Sequence, residues 1–114
     1  MIIGLGIDII ENSRVSKRLN NEFINTILTE KEKEIYISRK SRKQLEFLSG
    51  RIAAKEAIIK AISDFENPHM LELEISNNEK GKPYINFKNY NILISISHEK
   101  NYTVAEAILI KNYI

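Results

Sequence analysis

The amino-acid sequence predicts an α+β fold in which a mainly antiparallel sheet packs against one long central helix. Three features predict it: an apolar, β-branched run at 2–10, helical periodicity over about 42–64, and short alternating segments after residue 70. A strand, then helices, then a series of strands is an order typical of α+β proteins. The 114 residues suit one domain, so 1–114 is expected to be a single unit.

The first part of the chain is predicted to contain one strand followed by short helices. Residues 2–10 combine β-branched side chains with two glycines, a composition that favours a buried strand. Asn12 or Ser13 is expected to cap a short helix that ends near Asn20. Residues 22–28 are expected to form a further helix.

Two candidate capping boxes precede the next two helices. Thr29 with Glu32, and Ser41 with Gln44, have the spacing at which two side chains satisfy free N–H groups reciprocally. The second box opens the longest predicted helix, about residues 42–64, in which apolar side chains recur at helical spacing.

A glycine and a proline mark special points of this long helix. Gly50 costs a helix about 1 kcal/mol relative to alanine, so we expect it to allow another backbone to approach closely. Pro68 is expected to end the helical region, because proline lacks the N–H group that a helix interior needs.

The C-terminal third is predicted to form strands. Residues 70–76 and 84–88 alternate apolar and polar side chains, and the segment 77–83 between them is rich in turn residues. Residues 92–98 and 102–111 can pair as a hairpin. These strands complete the antiparallel sheet that we expect against the long helix.

Composition and charge exclude several classes of function. The net charge is only +2, which argues against strong attraction to nucleic acid, although segments 12–18 and 38–43 are basic. The absence of cysteine excludes disulfides and thiolate metal sites and suits a reducing cytoplasm. The apolar N-terminal run is interrupted by Asp8 and is too short to span a bilayer, so no membrane association is expected.

Two carboxylates stand out because their surroundings are apolar. Asp8 interrupts an apolar strand, where a carboxylate is costly unless it is paired, protonated or bound to a cation. Glu56 lies in the segment 50–61, one helical turn before Lys60. The ordinary interpretations are a salt-bridged aspartate and a solvent-exposed Glu–Lys pair, and these residues alone favour the ordinary interpretations.

Other cations and one histidine could complete a site. Arg51 and Lys55 form a second pair at the same spacing, rotated away from the first. His98 ends an apolar strand and could bind a phosphate, a base edge or a metal, although a structural hydrogen bond is the commoner role. The turn at 80–83 could offer ammonium and N–H groups to a phosphate, although an ordinary turn is the favoured interpretation.

The residues by themselves indicate metal-assisted phosphate chemistry and nothing finer. Two hard oxygen ligands suit Mg²⁺, which keeps its waters and takes further oxygens from substrate phosphates. A metal with lysine and arginine nearby suggests phosphate chemistry. The sequence contains no Walker loop, dinucleotide fingerprint, HExxH or GxSxG motif.

Four segments, in this order and at these separations, resemble one known family. The segments are GLGIDIIENSR, FLSGRIAAKEAIIKA, KGKPYI and SISHEK. Together they are similar to the short bacterial type of holo-[acyl-carrier-protein] synthase, a 4′-phosphopantetheinyl transferase, and the similarity covers essentially the whole chain. The part from Lys55 to Ala61 is the one shared most widely among these transferases.

The resemblance implies an enzyme that moves 4′-phosphopantetheine from coenzyme A to a serine of apo acyl carrier protein. It implies release of 3′,5′-ADP and a place in fatty acid biosynthesis in the cytoplasm. It also implies three catalytic residues: Asp8 and Glu56 would bind Mg²⁺, and Lys60 would assist the attack or stabilise the developing charge. The serine could be deprotonated by a metal-activated water, by Asp8 or by Glu56.

The resemblance further implies binding residues and an assembly. Arg14 and Arg18 are expected to face the acidic carrier protein. Enzymes of this type are trimers with an active site at each subunit interface, where one subunit supplies the Asp8 side, so a homotrimer is expected. The residues expected to surround coenzyme A are Arg51, Lys60, Gly81, Lys82, Pro83 and His98.

A non-catalytic binding module is the alternative hypothesis. The basic segments 12–18 and 38–43 could bind an acidic protein or RNA. Such a module predicts binding that weakens steeply with salt and needs neither Mg²⁺ nor coenzyme A. RNA is disfavoured by the small net charge and by the lack of a basic motif with interleaved aromatic residues, so no nucleic-acid partner is expected.

Overall fold

The computed structural model describes residues 1–112, which form strands and helices in the predicted order. The N-terminal part consists of β1 (Ile2–Glu11), α1 (Asn12–Lys17), α2 (Asn21–Ile27), α3 (Glu30–Ser38) and α4 (Arg42–Ala61). The C-terminal part consists of a 3₁₀ turn (Met70–Glu72), β2 (Ile75–Asn77), β3 (Pro83–Ile85), β4 (Asn91–His98) and β5 (Tyr102–Ile110).

The strands are antiparallel, as predicted, but they are divided between two sheets. One sheet has the order β1-β5-β4, and the other contains β2 and β3. The hairpin of β4 and β5 is confirmed, and β5 also pairs with β1, so that Asp8 lies opposite Ala105. The α+β class with a long helix against an antiparallel sheet is therefore confirmed.

The short second sheet differs from its prediction. The segment 70–76 was expected to be a strand, but it begins with a 3₁₀ turn and only its end joins β2. The strand expected at 84–88 is shortened to β3. Leu73 and Ile75 are nevertheless fully buried, whereas Leu71 is 49% exposed, so the alternation identified burial only in the second half of the segment.

Two glycines allow β1 and α4 to lie in direct contact. A Cβ atom on Gly4 would stand 1.9 Å from the carbonyl oxygen of Ala61, and one on Gly6 would stand 1.9 Å from that of Ala57. Gly50, where a close backbone approach was expected, instead faces the imidazole of His98, so that expectation is wrong. The small residues required for close helix–strand packing lie in β1 and not in the middle of α4.

β1 is buried on one face only, which corrects the prediction of a buried strand. Leu5, Ile7 and Ile9 are 62%, 58% and 64% exposed, whereas the intervening Gly6 is buried against α4. Their neighbours across the sheet are also apolar at several positions. The exposed side of this sheet, called the outer face below, contains Leu5, Ile7, Ile9, Leu93, Val104 and Ile108.

The helix α4 separates two apolar clusters. The larger cluster lies between α4 and the sheets and includes Ala57, Ile58 and Leu109. The smaller cluster joins α1 and α2 to α4 through residues such as Val15 and Leu48. In this arrangement α4 has neighbours on most sides, and its polar residues must either reach a pocket or find a buried partner.

The capping predictions had mixed outcomes. The Thr29–Glu32 box is confirmed, because each side chain accepts the backbone N–H of the other residue. The second box is wrong, since Ser41 has a positive φ of 43° and its side chain makes no capping bond. The partner predicted for it, Gln44, instead donates to the carbonyl of Tyr36.

The ends of α1 and α4 also differ from their predictions. α1 begins at Asn12 itself, so neither Asn12 nor Ser13 caps it, and Asn20 instead caps α2 through the N–H of Phe23. α4 ends at Ala61, well before Pro68, so the proline does not terminate it. Within residues 1–112, no helix has the length and apolar character needed to cross a bilayer.

Candidate active site

Asp8 and Lys60 meet where β1 crosses α4. The Nζ atom of Lys60 donates to the carbonyl of Ile7 at 2.9 Å and lies 3.4 Å from the Oδ1 atom of Asp8. The side chain of Asp8 is 19% exposed and that of Lys60 is 53% exposed, so both remain accessible. Lys60 therefore pairs with Asp8, and not with Glu56 as the helical spacing suggested.

Glu56 lies in the turn of α4 that precedes Lys60. Gly4 and Gly6 contact Ala61 and Ala57 in succession, so each step of two residues along β1 corresponds to about one turn of α4. The same spacing, continued by two residues, would set Asp8 beside the part of α4 near Ala53, within about one turn of Glu56. Within the described residues, Glu56 forms no ion pair, although it is only partly exposed.

Glu56 also lines a pocket of about 350 Å³, called the α1 pocket below, together with Arg14 and Arg18. Arg14 lies 3.8 Å from Glu11, and the guanidinium of Arg18 stacks over the ring of Phe23 with its carbon 4.4 Å from the ring centre. The predicted carrier-binding arginines and a predicted metal ligand thus share one pocket.

A second pocket, of about 230 Å³, brings together four of the predicted coenzyme A contacts. We call it the His98 cleft. Its walls come from α4, from the turn between β2 and β3, and from the end of β4. Lys82 and Lys60, also predicted to contact coenzyme A, do not line it. The residues of the cleft used below are Arg39, Glu46, Gly50, Arg51, Gly81, Pro83 and His98.

A fully buried carboxylate, Glu32, holds two cations of α4. Its Oε1 atom accepts a bond of 2.6 Å from Lys55, and its Oε2 atom lies 3.2 Å from the Nε atom of Arg51. Lys55 also donates to the carbonyls of Ile27 and Met70. Arg51 and Lys55 are therefore not a solvent-exposed helical pair. The sequence indicated Glu32 only as part of a capping box and not as the partner of these two cations.

Burial dominates the ionisation of these two cations. The loss of water around Lys55 lowers its pKa, and the hydrogen bond to Glu32 opposes this only in part. Burial likewise lowers the pKa of the Arg51 guanidinium, again against the attraction of Glu32. Both residues are held in place by hydrogen bonds to main-chain carbonyls, which makes this network a structural support for the wall of the His98 cleft.

The turn between β2 and β3 is attached to that wall. Arg51 donates to the Oδ1 atom of Asn77 at 2.7 Å, and Asn77 donates to the carbonyl of Gly81, whose φ of 83° suits glycine. The side chain of Asn78 accepts the backbone N–H of Lys82 at 2.9 Å. This N–H group is satisfied within the turn, which agrees with the ordinary-turn interpretation.

His98 is anchored from behind by Thr103 and Asn12, of which the sequence indicated only Asn12, and only as a helix cap. Its Nδ1 atom lies 3.2 Å from the Oγ1 atom of Thr103, which in turn donates to Asn12 at 2.8 Å. Burial lowers the pKa of His98, opposed by the nearby Glu46. The imidazole therefore tends to be neutral near pH 7.

The donor set at Asp8 and Glu56 fits a hard cation. Both are carboxylates, both are partly exposed, and they lie on β1 and α4, which pack directly against each other. Residues 1–112 contain no group of three or more His, Cys, Asp or Glu side chains placed to hold a metal. Two carboxylates with water and phosphate oxygens are the partial set that Mg²⁺ accepts.

Comparison with known proteins identifies the family. Residues 4–112 match the family model of the 4′-phosphopantetheinyl transferase superfamily. Holo-[acyl-carrier-protein] synthase of Geobacillus sp. (strain WCH70) is 43% identical over 96% of this chain and 97% of its own length. The chain belongs to the holo-[acyl-carrier-protein] synthases. As a member of this family it is an enzyme, a phosphopantetheinyl transferase, and the alternative of a non-catalytic binding module is not supported.

Solved holo-[acyl-carrier-protein] synthases share the fold. The enzyme from Bacillus anthracis, in complex with CoA (3′,5′-ADP), is 38% identical with a TM-score of 0.87 and covers 96% of both chains. The enzyme from Plasmodium yoelii is 30% identical with a TM-score of 0.86 and covers 99% of this chain and 98% of its own. The agreement extends over nearly the whole chain.

Proposed function

We propose that this protein transfers the 4′-phosphopantetheine arm of coenzyme A to a serine of an apo acyl carrier protein, with Mg²⁺, in fatty acid biosynthesis in the cytoplasm. The observation that carries the proposal is the His98 cleft, where Arg51, Gly81, Pro83 and His98 converge from three separate segments. The Bacillus anthracis relative was solved with CoA (3′,5′-ADP), a ligand rich in phosphates. A cleft with guanidinium and imidazole groups suits such a ligand.

We propose Asp8 and Glu56 as the residues that hold Mg²⁺. When bound, the ion would offset the charge that builds on the pyrophosphate of coenzyme A. Lys60 forms an ion pair with Asp8, and its ammonium group is oriented by the carbonyl of Ile7. It would stabilise the same developing charge from the side of β1.

The proposed reaction balances as a displacement at phosphorus. A bond forms between the serine oxygen of the carrier and the β-phosphorus of coenzyme A. The bond from that phosphorus to the oxygen bridging to the adenosine side breaks, and 3′,5′-ADP leaves with the electron pair. On this chain, the groups suited to accept the serine proton are the carboxylates of Asp8 and Glu56.

We propose that the carrier protein docks beside the α1 pocket. The side chain of Arg14 is 82% exposed, and Arg18 follows it by one helical turn at the end of α1. Two cations at this position suit an acidic partner. Because Glu56 lines the same pocket, a carrier bound there would present its serine near the proposed metal ligands.

We propose a homotrimer in which the active site lies between subunits. In one chain the α1 pocket and the His98 cleft share no lining residue, and an active site shared between subunits would bring such contacts together. The outer face offers a surface for assembly, since Leu5, Ile7 and Ile9 are each more than half exposed. Covering such a face with other subunits would remove apolar area from water.

Incubation with a carrier protein tests the proposed activity. The chain would be mixed with apo acyl carrier protein, coenzyme A and Mg²⁺, and the carrier would be examined by mass spectrometry. The expected product carries one phosphopantetheine arm, and omission of Mg²⁺ should prevent its formation. Absence of any added mass with several different carriers would refute the proposal.

A further inference from the structure

Three hydrogen-bonding side chains connect α1 to the His98 cleft. Asn12 donates through Nδ2 to the carbonyls of Glu99 and Lys100, at 3.3 and 3.2 Å. The Oγ1 atom of Thr103 lies 2.8 Å from the Oδ1 atom of Asn12 and 3.2 Å from the Nδ1 atom of His98. Thr103 is completely buried and Asn12 is 6% exposed, so water does not replace these partners.

The proton positions along this chain follow from the chemistry of its ends. Carbonyl oxygens only accept, so the amide nitrogen of Asn12 must face Glu99 and Lys100, and its Oδ1 atom must face Thr103. The single hydroxyl proton of Thr103 then goes to Asn12, which leaves a lone pair directed at His98. The opposite arrangement would place two unprotonated oxygens 2.8 Å apart in a buried site, which is costly.

The lone pair of Thr103 requires a proton on the Nδ1 atom of His98. The other edge of the ring is turned to the cleft, since a Cβ atom on Gly50 would lie 3.0 Å from Cε1 and 3.3 Å from Nε2. In neutral His98 the Nε2 atom is then an acceptor only. Anionic phosphate oxygens are acceptors too, so a hydrogen bond between them needs a second proton on the ring.

We propose that Asn12 and Thr103 are positioning residues that fix the proton of neutral His98 on Nδ1. Binding of an anionic phosphate in the His98 cleft then requires uptake of a proton at Nε2. This inference rests on the proposed function, because it takes coenzyme A as the ligand of the cleft. Thr103 and Asn12 touch neither ligand nor metal and act only through His98.

The sign of the pH dependence follows from the surroundings of His98. Its pKa without ligand is lowered by burial, and a bound phosphate would raise it. The affinity for phosphate is therefore highest below the pKa of His98 in the free protein. It is lost as pH rises through the higher pKa of His98 in the complex, by at most about tenfold per pH unit. The other charged groups around the cleft are Arg39, Lys43, Glu46 and Arg51.

Nuclear magnetic resonance of the imidazole nitrogens tests the proton position without any ligand. The chain has two histidines, so a His69→Gln variant leaves His98 as the only signal. At a pH well above the pKa of His98, the spectrum should show a protonated Nδ1 and an unprotonated Nε2. Thr103→Val should shift the proton toward Nε2, and Thr103→Ser should retain the original form. A proton found on Nε2 in the unsubstituted Thr103 protein would overturn the inference.

Calorimetric binding of coenzyme A over a range of pH tests the functional consequence. Thr103→Val frees neutral His98 to donate from Nε2, so its affinity should fall less with rising pH. Above the pKa of His98, Thr103→Val should bind coenzyme A on the order of fivefold more tightly than wild type, which corresponds to one neutral hydrogen bond. The phosphates of coenzyme A titrate in the same way with both proteins, so their contribution cancels when the two pH profiles are compared. Thr103→Ser should give the wild-type profile.

Parallel pH profiles for wild type and Thr103→Val would overturn the proton linkage. If coenzyme A does not bind at any pH and no carrier is modified, both the proposed function and the proposed coupling of phosphate binding to proton uptake are refuted. The resonance experiment distinguishes these cases, because it needs no coenzyme A and decides the role of Thr103 by itself.

Discussion

Lys60 and Asp8 form an ion pair across the junction of α4 and β1, with the Nζ atom 3.4 Å from the Oδ1 atom. The lysine is more than half exposed, and an ion pair of this kind adds only about 0–1 kcal/mol to stability. The pair is therefore better suited to placing charge beside the proposed metal site than to holding the fold.

Replacement of Lys60 by methionine should reduce turnover strongly with little loss of stability. A positive group that stabilises the negative charge developing in the transition state raises the rate roughly 10²–10³-fold. The ion pair of Lys60 itself contributes little to the stability of the fold. Transfer rates by mass spectrometry and urea unfolding would measure the two effects.

Lys88→Met is the matched control for this prediction. Lys88 is 55% exposed and also pairs with one carboxylate, but that carboxylate is Glu66 and not the proposed metal ligand Asp8. Its variant should retain full turnover. Equal rates for the two variants would contradict the role assigned to Lys60.

Glu56→Gln should preserve the fold and weaken the use of Mg²⁺. The substitution keeps the size of the side chain but removes the charge that a hard cation needs. We expect the half-saturating Mg²⁺ concentration to rise at least about 10–100-fold, the range found when only a supporting partner of a ligand is lost. Activity would be titrated with Mg²⁺ and compared with Glu34→Gln, an exposed residue of α3. An unchanged titration would refute the assignment.

The elements that local spacing determines were predicted well from the sequence. The hairpin of β4 and β5 and most of α4 follow from alternation and helical periodicity, which need only neighbouring residues. The division into two sheets and the exposed side of β1 depend on which surfaces meet in three dimensions. Alternation cannot separate a strand buried on both faces from one whose exposed face is also apolar.

In the site, too, residues marked by local sequence were predicted, whereas contacts between residues far apart in the chain were not. Asp8, Glu56 and Lys60 were picked out from the sequence by their apolar setting and by the family resemblance. The bond between Lys55 and Glu32 spans 23 residues, and that between Asn12 and Thr103 spans 91. No spacing rule reaches across such distances, so these supporting residues emerged only from the structure.

Ile7→Lys should dissociate the proposed trimer. Ile7 lies in the outer face, and a lysine there would have to lose its water at a subunit interface, which is costly without a partner. Light scattering should show the mass falling from three chains to one chain of 13.2 kDa. Ile37→Lys, at a 72% exposed position of α3, is the matched control and should leave the mass unchanged. A wild-type mass of one chain would refute the trimer itself.

Glu32→Gln should be the most destabilising of these changes, although Glu32 lines neither the α1 pocket nor the His98 cleft. It leaves Lys55 and Arg51 buried without their counter-charge, and loss of one partner of a buried ion pair costs about 3–5 kcal/mol. Urea unfolding should show this loss, whereas Glu34→Gln, two residues further along the same helix and exposed, should be neutral.

A double substitution separates the ion pair from simple packing. If the cost of Glu32→Gln comes from the stranded ammonium of Lys55, then removal of that charge by Lys55→Met should recover part of the lost stability. The double variant should therefore be less destabilised than the sum of the two single variants, because residues in direct contact are not additive. Additive losses would show that Glu32 acts mainly through its bonds to the backbone of Thr29 and Ile75.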